Sequence, residues 1–434
     1  MQLSTSMPNP GSLGNLKLPD LFESFRSLPP RTNPLYAQVK EASLKWLSEY
    51  CKQALQSLQR KRLLTTPRIC GFDEAAQDRL RRADFAYITA VAFPDVEDFD
   101  RLLVITNWFN WVFFFDDQLD DTAGHEDKEP ARRYIDSFVT VLNDEDDKGP
   151  DSDREEQPSR FVFRCIWQAV KQDPRCPPAE TKLRWADSMN RYFEALRQAL
   201  VFEPSSTLAE TVEGYIEYRF HTVGVLPIFA FIEYFYALRL PSEVWTHPEM
   251  IGLREAGVKM AMIDNDVVSY HREKDLGCPH NIIHLHHLHG MSEQDAYDLA
   301  QHRQRELYRT WYTHRSALPL YGEHQDGEIQ RYLRGLEQVV TANLNWSFRT
   351  QRYFGENVAQ VRQTGVLPRD TQWLDGVIPD RGLQLVTSKA VQAKALATST
   401  ASATSTTPAL TIASATRTGE RSSMDKARAV LVGA

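Results

Sequence analysis

Apolar residues recur at three- and four-residue intervals along most of the chain. EASLKWLSEYCKQALQSLQ (41–59), RFVFRCIWQAVKQ (160–172), TKLRWADSMNRYFEALRQALV (181–201) and EIQRYLRGLEQVVTANLNWSF (328–348) each carry such a stripe, which predicts amphipathic helices sharing a core. Few stretches alternate with period two, and neither a strand–helix–strand rhythm nor an internal repeat occurs, so the pattern predicts an all-α single domain over residues 18–386. The periodicity fails at both ends. Residues 1–17, rich in Ser, Pro, Asn and Gly, read as a flexible leader. From residue 387 to 434 the text is a Ser/Thr/Ala tract almost free of aromatics; it cannot bury enough apolar surface to offset its ordering entropy and reads as a disordered tail. The acidic insert NDEDDKGPDSDREEQPS (143–159) is broken by Gly, Pro and Ser and reads as a solvated loop.

Composition narrows the class. A formal net charge of −8 argues against a general nucleic-acid binder, which needs a basic face. The 21 Phe, 16 Tyr and 9 Trp suit a well-filled core and equally a cavity for an apolar ligand. Cys51, Cys70, Cys165, Cys176 and Cys278 are scattered with no CxxC pair, so neither a disulfide framework nor a cysteine zinc site is indicated. The first twenty residues lack the apolar core of a signal peptide, and no run is long and apolar enough for a membrane span. A cytoplasmic protein without stable membrane association is the expectation.

Chemistry concentrates in two helical segments. In LLVITNWFNWVFFFDDQLDD (102–121), Asp116 and Asp120 are four apart and share a face, and the same face upstream holds Phe113, Val112 and Phe109. A stripe that is apolar for two turns and then ends in acid describes a greasy wall with a metal-binding rim. Oxygen-only ligands favour a hard cation such as Mg2+, which keeps waters and is completed by phosphates. In MIDNDVVSYHREKD (262–275), Asn265, Ser269 and Glu273 fall at i, i+4 and i+8, a second oxygen site on one stripe spanning roughly 12 Å. Val267, Val268 and the upstream VKMAMI mark that helix as largely buried, where unpartnered polar groups are expensive. Two metal rims imply a polyanion between them, and Arg219, Arg272 and Arg352 with Tyr353 are the candidate cationic partners.

Asp116-Asp117-Gln118-Leu119-Asp120, then Asn265, Ser269 and Glu273, then Arg352-Tyr353 resemble the aspartate-rich motif, the NSE triad and the arginine–tyrosine pair of class I terpene synthases. PDLFESF, NWVFFFDDQLDD, RFHTVGVLP and NLNWSFRTQRYFG are similar to fungal sesquiterpene cyclases, particularly the presilphiperfolanol synthase group; the resemblance spans about residues 18–365. It implies a helical bundle around a central apolar cavity and Mg2+-dependent ionisation and cyclisation of farnesyl diphosphate. Three Mg2+ ions are implied, with Mn2+ able to substitute: two on Asp116, supported by Asp120, and one on Asn265, Ser269 and Glu273. Arg219 takes the place of the pyrophosphate sensor, with Thr222 and Val223 relaying its movement through a helix break at Gly224. Arg272, Arg352 and Tyr353 would complete the diphosphate clamp. Many relatives carry a second arginine after the sensor; here Phe220 stands there. Phe109, Phe113 and Trp346 are candidates for cation-stabilising cavity walls, or plain core. A monomer or homodimer is the expectation.

Other readings remain beside this one. A mono- or diterpene cyclase differs only in substrate length. A chain-elongating prenyltransferase normally needs a second aspartate-rich motif where this chain has NSE. A non-catalytic helical interaction protein would treat both clusters as surface charge. HNIIHLHHLHG (280–290) spaces His280, His284 and His287 as helical zinc ligands could be, but lacks the Glu of HExxH and reads as a polar helix face.

Overall fold

The computed structural model describes residues 15–60, 74–120, 127–143, 158–174, 179–276 and 280–373. Among them the expected helices form. The first group is α1 (Tyr36–Arg60), α2 (Glu74–Ala83), α3 (Phe85–Ala92), α4 (Phe99–Asp120), α5 (Glu129–Asn143), α6 (Pro158–Gln172), α7 (Ala179–Ala199) and α8 (Leu208–Thr222). The second is α9 (Val225–Phe235), α10 (Ser242–Trp245), α11 (Pro248–Leu276), α12 (Ile282–Leu288), α13 (Glu293–Ala317), α14 (Glu323–Ser347), α15 (Gln351–Phe354) and α16 (Val358–Thr364). None is long and apolar enough to cross a membrane. The leader 1–14, most of the acidic insert and the tail from 374 lie outside the described residues.

Helix limits follow from local chemistry. Thr207, Asn281, Ser292 and Thr350 each accept a backbone N–H with their side chains and so open α8, α12, α13 and α15. The break between α8 and α9 falls at Gly224, whose φ of 73° is readily available only to a residue without a Cβ. Past α15, Gly355 combines φ 50° with a backbone approach so close that a Cβ there would sit 2.0 Å from the Gln372 carbonyl oxygen. The chain after α16 is thereby laid directly against the turn that carries Arg352 and Tyr353.

The core gathers around α11, which is buried along Val258, Met260, Ala261, Met262, Ile263, Val267 and Val268. It packs against α9, α12, α13 and α14. On the far side of the cavity α4 presents Trp111 and Phe115 to Phe138 of α5, Phe163 of α6 and Phe193 of α7.

One expectation needs correcting. Leu16 and Lys17, assigned to a loose leader, form a short antiparallel ladder (β1, Leu16–Lys17) with β2 (Val366–Leu367), and Leu16 is buried. Downstream of β1, Arg26 reaches α11 and binds Asp264 at 2.6 and 2.8 Å, with both side chains fully buried. Burial drives the Asp264 pKa up to about 6 against the pull of Arg26. Gln304 adds a 2.8 Å bond to the same carboxylate. The carboxylate side of this pair is well supplied with donors, while Arg26 Nη2 is buried without a hydrogen-bond partner.

Candidate active site

A cavity of about 310 Å3 opens between α3, α4, α7, α8, α9, α11, α14 and α15. From α4 its wall takes Phe109, Val112, Phe113 and Asp116, the stripe that helical periodicity put on one face. Asp116 is half-buried and accepts a 3.0 Å hydrogen bond from the Tyr192 hydroxyl of α7. Asp120 ends α4, and its side chain lies outside the described residues.

Opposite, α11 contributes Asn265, Arg272 and Glu273 to the same cavity. Ser269 is buried and lies in the helix between them. Glu273 sits in a setting where burial raises its pKa, a trend that Arg219 opposes. The Asn265 amide oxygen accepts from Arg219 Nη2 at 2.7 Å, and its nitrogen donates to the Tyr353 hydroxyl at 3.4 Å. Arg219 also pairs with fully buried Asp266 at 3.1 Å. Burial works against the Arg219 charge, but Tyr215, Asp266, Glu273 and Asp116 outweigh it and hold the pKa well above the usual arginine value. Thr222, Val223 and Gly224 line the cavity directly after this arginine.

Asp117 follows Asp116 in α4 but faces another way. It is buried and holds two of the candidate arginines at once: Arg272 at 2.7 Å and Arg352 at 2.6 and 3.1 Å. All three side chains are nearly inaccessible. One carboxylate from α4 thus gathers guanidiniums from α11 and α15 at the polar end of the cavity. Charge-assisted bonds of this kind are strong where water is excluded.

The aromatic assignments divide. Phe109 and Phe113 line the cavity, as does Trp108. Phe113 stacks on Phe85 with centroids 4.4 Å apart, and the Arg352 guanidinium lies 5.2 Å from its ring centre. Trp346 does not reach the wall. It is fully buried behind Phe113, at 4.9 Å, and its indole nitrogen donates to the Ala83 carbonyl at 2.8 Å. Its place is core.

The histidine run is also different from a polar face. The helix begins at Ile282, so His280 precedes it and shares no helical face with His284. His280 lines the cavity and bonds the Tyr218 hydroxyl through Nδ1 at 2.8 Å. His286 is buried with neither ring nitrogen hydrogen-bonded. Burial, helped by Arg219 beside His280 and Arg303 beside His286, lowers both pKa values to about 4. Both rings are neutral in the fold and protonate near 6.5 when it opens, so the stability they permit is full above pH 6.5 and lost as pH falls toward 4. His286→Leu removes one such group without breaking a bond. Its melting temperature should therefore fall less than that of the unaltered protein between pH 6.5 and pH 4, as differential scanning fluorimetry across that range would register; parallel curves would contradict it.

The family model described as "Terpene synthase family 2, C-terminal metal binding" matches residues 107–310. Silphinene synthase of Penicillium patulum is 32% identical over 349 residues, covering 80% of this chain and 88% of that protein. The (+)-eremophilene synthase of Gibberella fujikuroi is 31% identical over 353 residues, 81% of this chain and 91% of that one. Among solved structures, the T181N variant of cucumene synthase superimposes with a TM-score of 0.59 at 19% identity, over 74% of this chain and 98% of its own.

Proposed function

The chain belongs to the class I terpene synthases, lyases that act on prenyl diphosphates, and from that premise we propose that it is a Mg2+-dependent sesquiterpene cyclase: it ionises farnesyl diphosphate, cyclises the carbocation and releases diphosphate. The observation that carries this reading is the polarity of one cavity. Asp116, Asn265, Glu273, Arg219, Arg272 and Arg352 meet at one end, and Trp108, Phe109, Val112, Phe113, Ile228 and Val339 form the other walls.

The donor set fits a hard divalent cation: a carboxylate on α4 and an amide, a hydroxyl and a carboxylate on α11, with no sulfur or imidazole among them. Asp116 with Asp120 would hold two Mg2+ ions, and Asn265, Ser269 and Glu273 a third. When bound, the ions supply neutralisation of the leaving diphosphate. Arg272 and Arg352, paired with Asp117 until the anion arrives, would bind the diphosphate oxygens, and Tyr353 would complete the clamp. The Asn265 oxygen that would meet a cation already accepts from Arg219 at 2.7 Å, so a bound cation would set like charge beside that guanidinium and favour its release. Its release toward the diphosphate, with Thr222, Val223 and the glycine break moving beside it, would make binding and closure one event.

No nucleophile is required of the protein beyond this. The apolar walls exclude water from the cation, and the faces of Phe109 and Phe113 attract positive charge. A volume of about 310 Å3 lies within the ~300–1,000 Å3 range for small-molecule sites.

Incubating the purified protein with Mg2+ and farnesyl diphosphate should yield a cyclic fifteen-carbon hydrocarbon or alcohol, identified by gas chromatography with mass spectrometry. Longer diphosphates formed only with added isopentenyl diphosphate would replace this reading with chain elongation. Turnover of geranyl or geranylgeranyl diphosphate alone would revise the substrate.

A further inference from the structure

The start of α12 is tied into the metal triad by one side chain. Asn281 is completely buried. Its Nδ2 lies 2.9 Å from Glu273 Oε2, 2.7 Å from the Asp266 carbonyl oxygen and 3.5 Å from Ser269 Oγ. An amide has two hydrogens, so the two short contacts are the full bonds and the Ser269 contact is the weak one. Its Oδ1 accepts from the Ile283 backbone N–H at 2.9 Å, and the Ile282 N–H goes to Asp266 Oδ2 at 3.0 Å. The first turn of α12 therefore grips α11 on the stretch that carries Ser269 and Glu273.

We propose that Asn281 is a positioning residue for the cation site, fixing Glu273 and Ser269 for ligation; this rests on the reading of those residues as ligands. The helix itself leaves the need. At about 100° per residue, positions i, i+4 and i+8 drift by roughly 80° over the set, so three ligands on one straight helix do not converge unaided. Glu273, last in the series and on a long rotatable side chain, is the one furthest from Asn265 and the one with most freedom to lose. Asn281 holds one of its carboxylate oxygens from the neighbouring helix, and it restrains the Asp266 backbone between Asn265 and Ser269. Outer partners that orient metal ligands act in this way and typically matter by about 10–100-fold in metal affinity.

The test uses Asn281→Ser and Asn281→Thr in the full chain. Both keep an oxygen that can cap Ile283 and both lack the amide that reaches Glu273. The readout is the Mg2+ concentration at the midpoint of the rise in melting temperature, measured with inorganic pyrophosphate at fixed excess. The unaltered protein should show a saturable rise. Each variant should need about 10-fold or more Mg2+ to reach its midpoint, and its turnover should recover in part as Mg2+ is raised. A variant that melts lower without metal yet keeps the unaltered midpoint would overturn the proposal and leave Asn281 as a helix cap. Absence of any pyrophosphate-dependent Mg2+ effect in the unaltered protein would instead remove the cation-site reading itself, and this inference with it.

Discussion

Asn265→Ala is expected to lower the rate of product formation from farnesyl diphosphate by roughly 10²–10³-fold, the range seen when one preorganised electrostatic group is removed from a site where charge develops. The side chain makes two bonds, to Arg219 and to Tyr353. Neither is needed for the fold, because Arg219 keeps its pair with Asp266 at 3.1 Å and Asn265 is only half-buried at the cavity wall. Alanine also suits a helix interior. The melting temperature without metal should therefore stay close to that of the unaltered protein while initial rates collapse. Normal turnover by Asn265→Ala would take this residue out of the ligand set and reduce its contact with Arg219 to a structural one.

What the sequence could and could not reveal divides along a physical line. The grouping of Phe109, Val112, Phe113 and Asp116 is a property of one helix, and the 3.6-residue period states it without knowledge of any neighbour. The same holds for the order Asn265, Ser269, Glu273, whereas the break at Gly224 is legible only through the resemblance to class I terpene synthases. The role of Asp117 is not legible in the sequence because its partners, Arg272 and Arg352, come from 155 and 235 positions away; periodicity says that it points elsewhere than Asp116 but not what waits there. Trp346, open in sequence as wall or core, falls in the core for the converse reason. Its helix face is right, but Phe113 from α4 occupies the space in front of it, and only packing decides which of two stacked aromatics meets the cavity. The histidine run carries a legible signal of its own. Asn281 stands immediately before an apolar pair, Ile282 and Ile283, which is how a helix N-cap reads in sequence. Placing the helix start there separates His280 from His284 at once.

Asp117→Asn should be the most destabilising single change in the site. The substitution is nearly isosteric, so it leaves no void, but it removes the one charge that Arg272 and Arg352 share. Breaking a buried pair by deleting one partner costs about 3–5 kcal/mol, and here the deleted charge is bonded by two nearly inaccessible guanidiniums. The apo protein should melt well below the unaltered one. Inorganic pyrophosphate with Mg2+ brings an anion to that same place, and a ligand that binds only the folded state stabilises it by mass action. If Asp117 stands in for the diphosphate before substrate arrives, the rise in melting temperature on adding pyrophosphate should be larger in Asp117→Asn than in the unaltered protein, because the Asp117 carboxylate no longer competes for Arg272 and Arg352. Equal rises in the two proteins would mean that Arg272 and Arg352 do not meet the diphosphate, and their pairing with Asp117 would then belong to the architecture of α4, α11 and α15 alone.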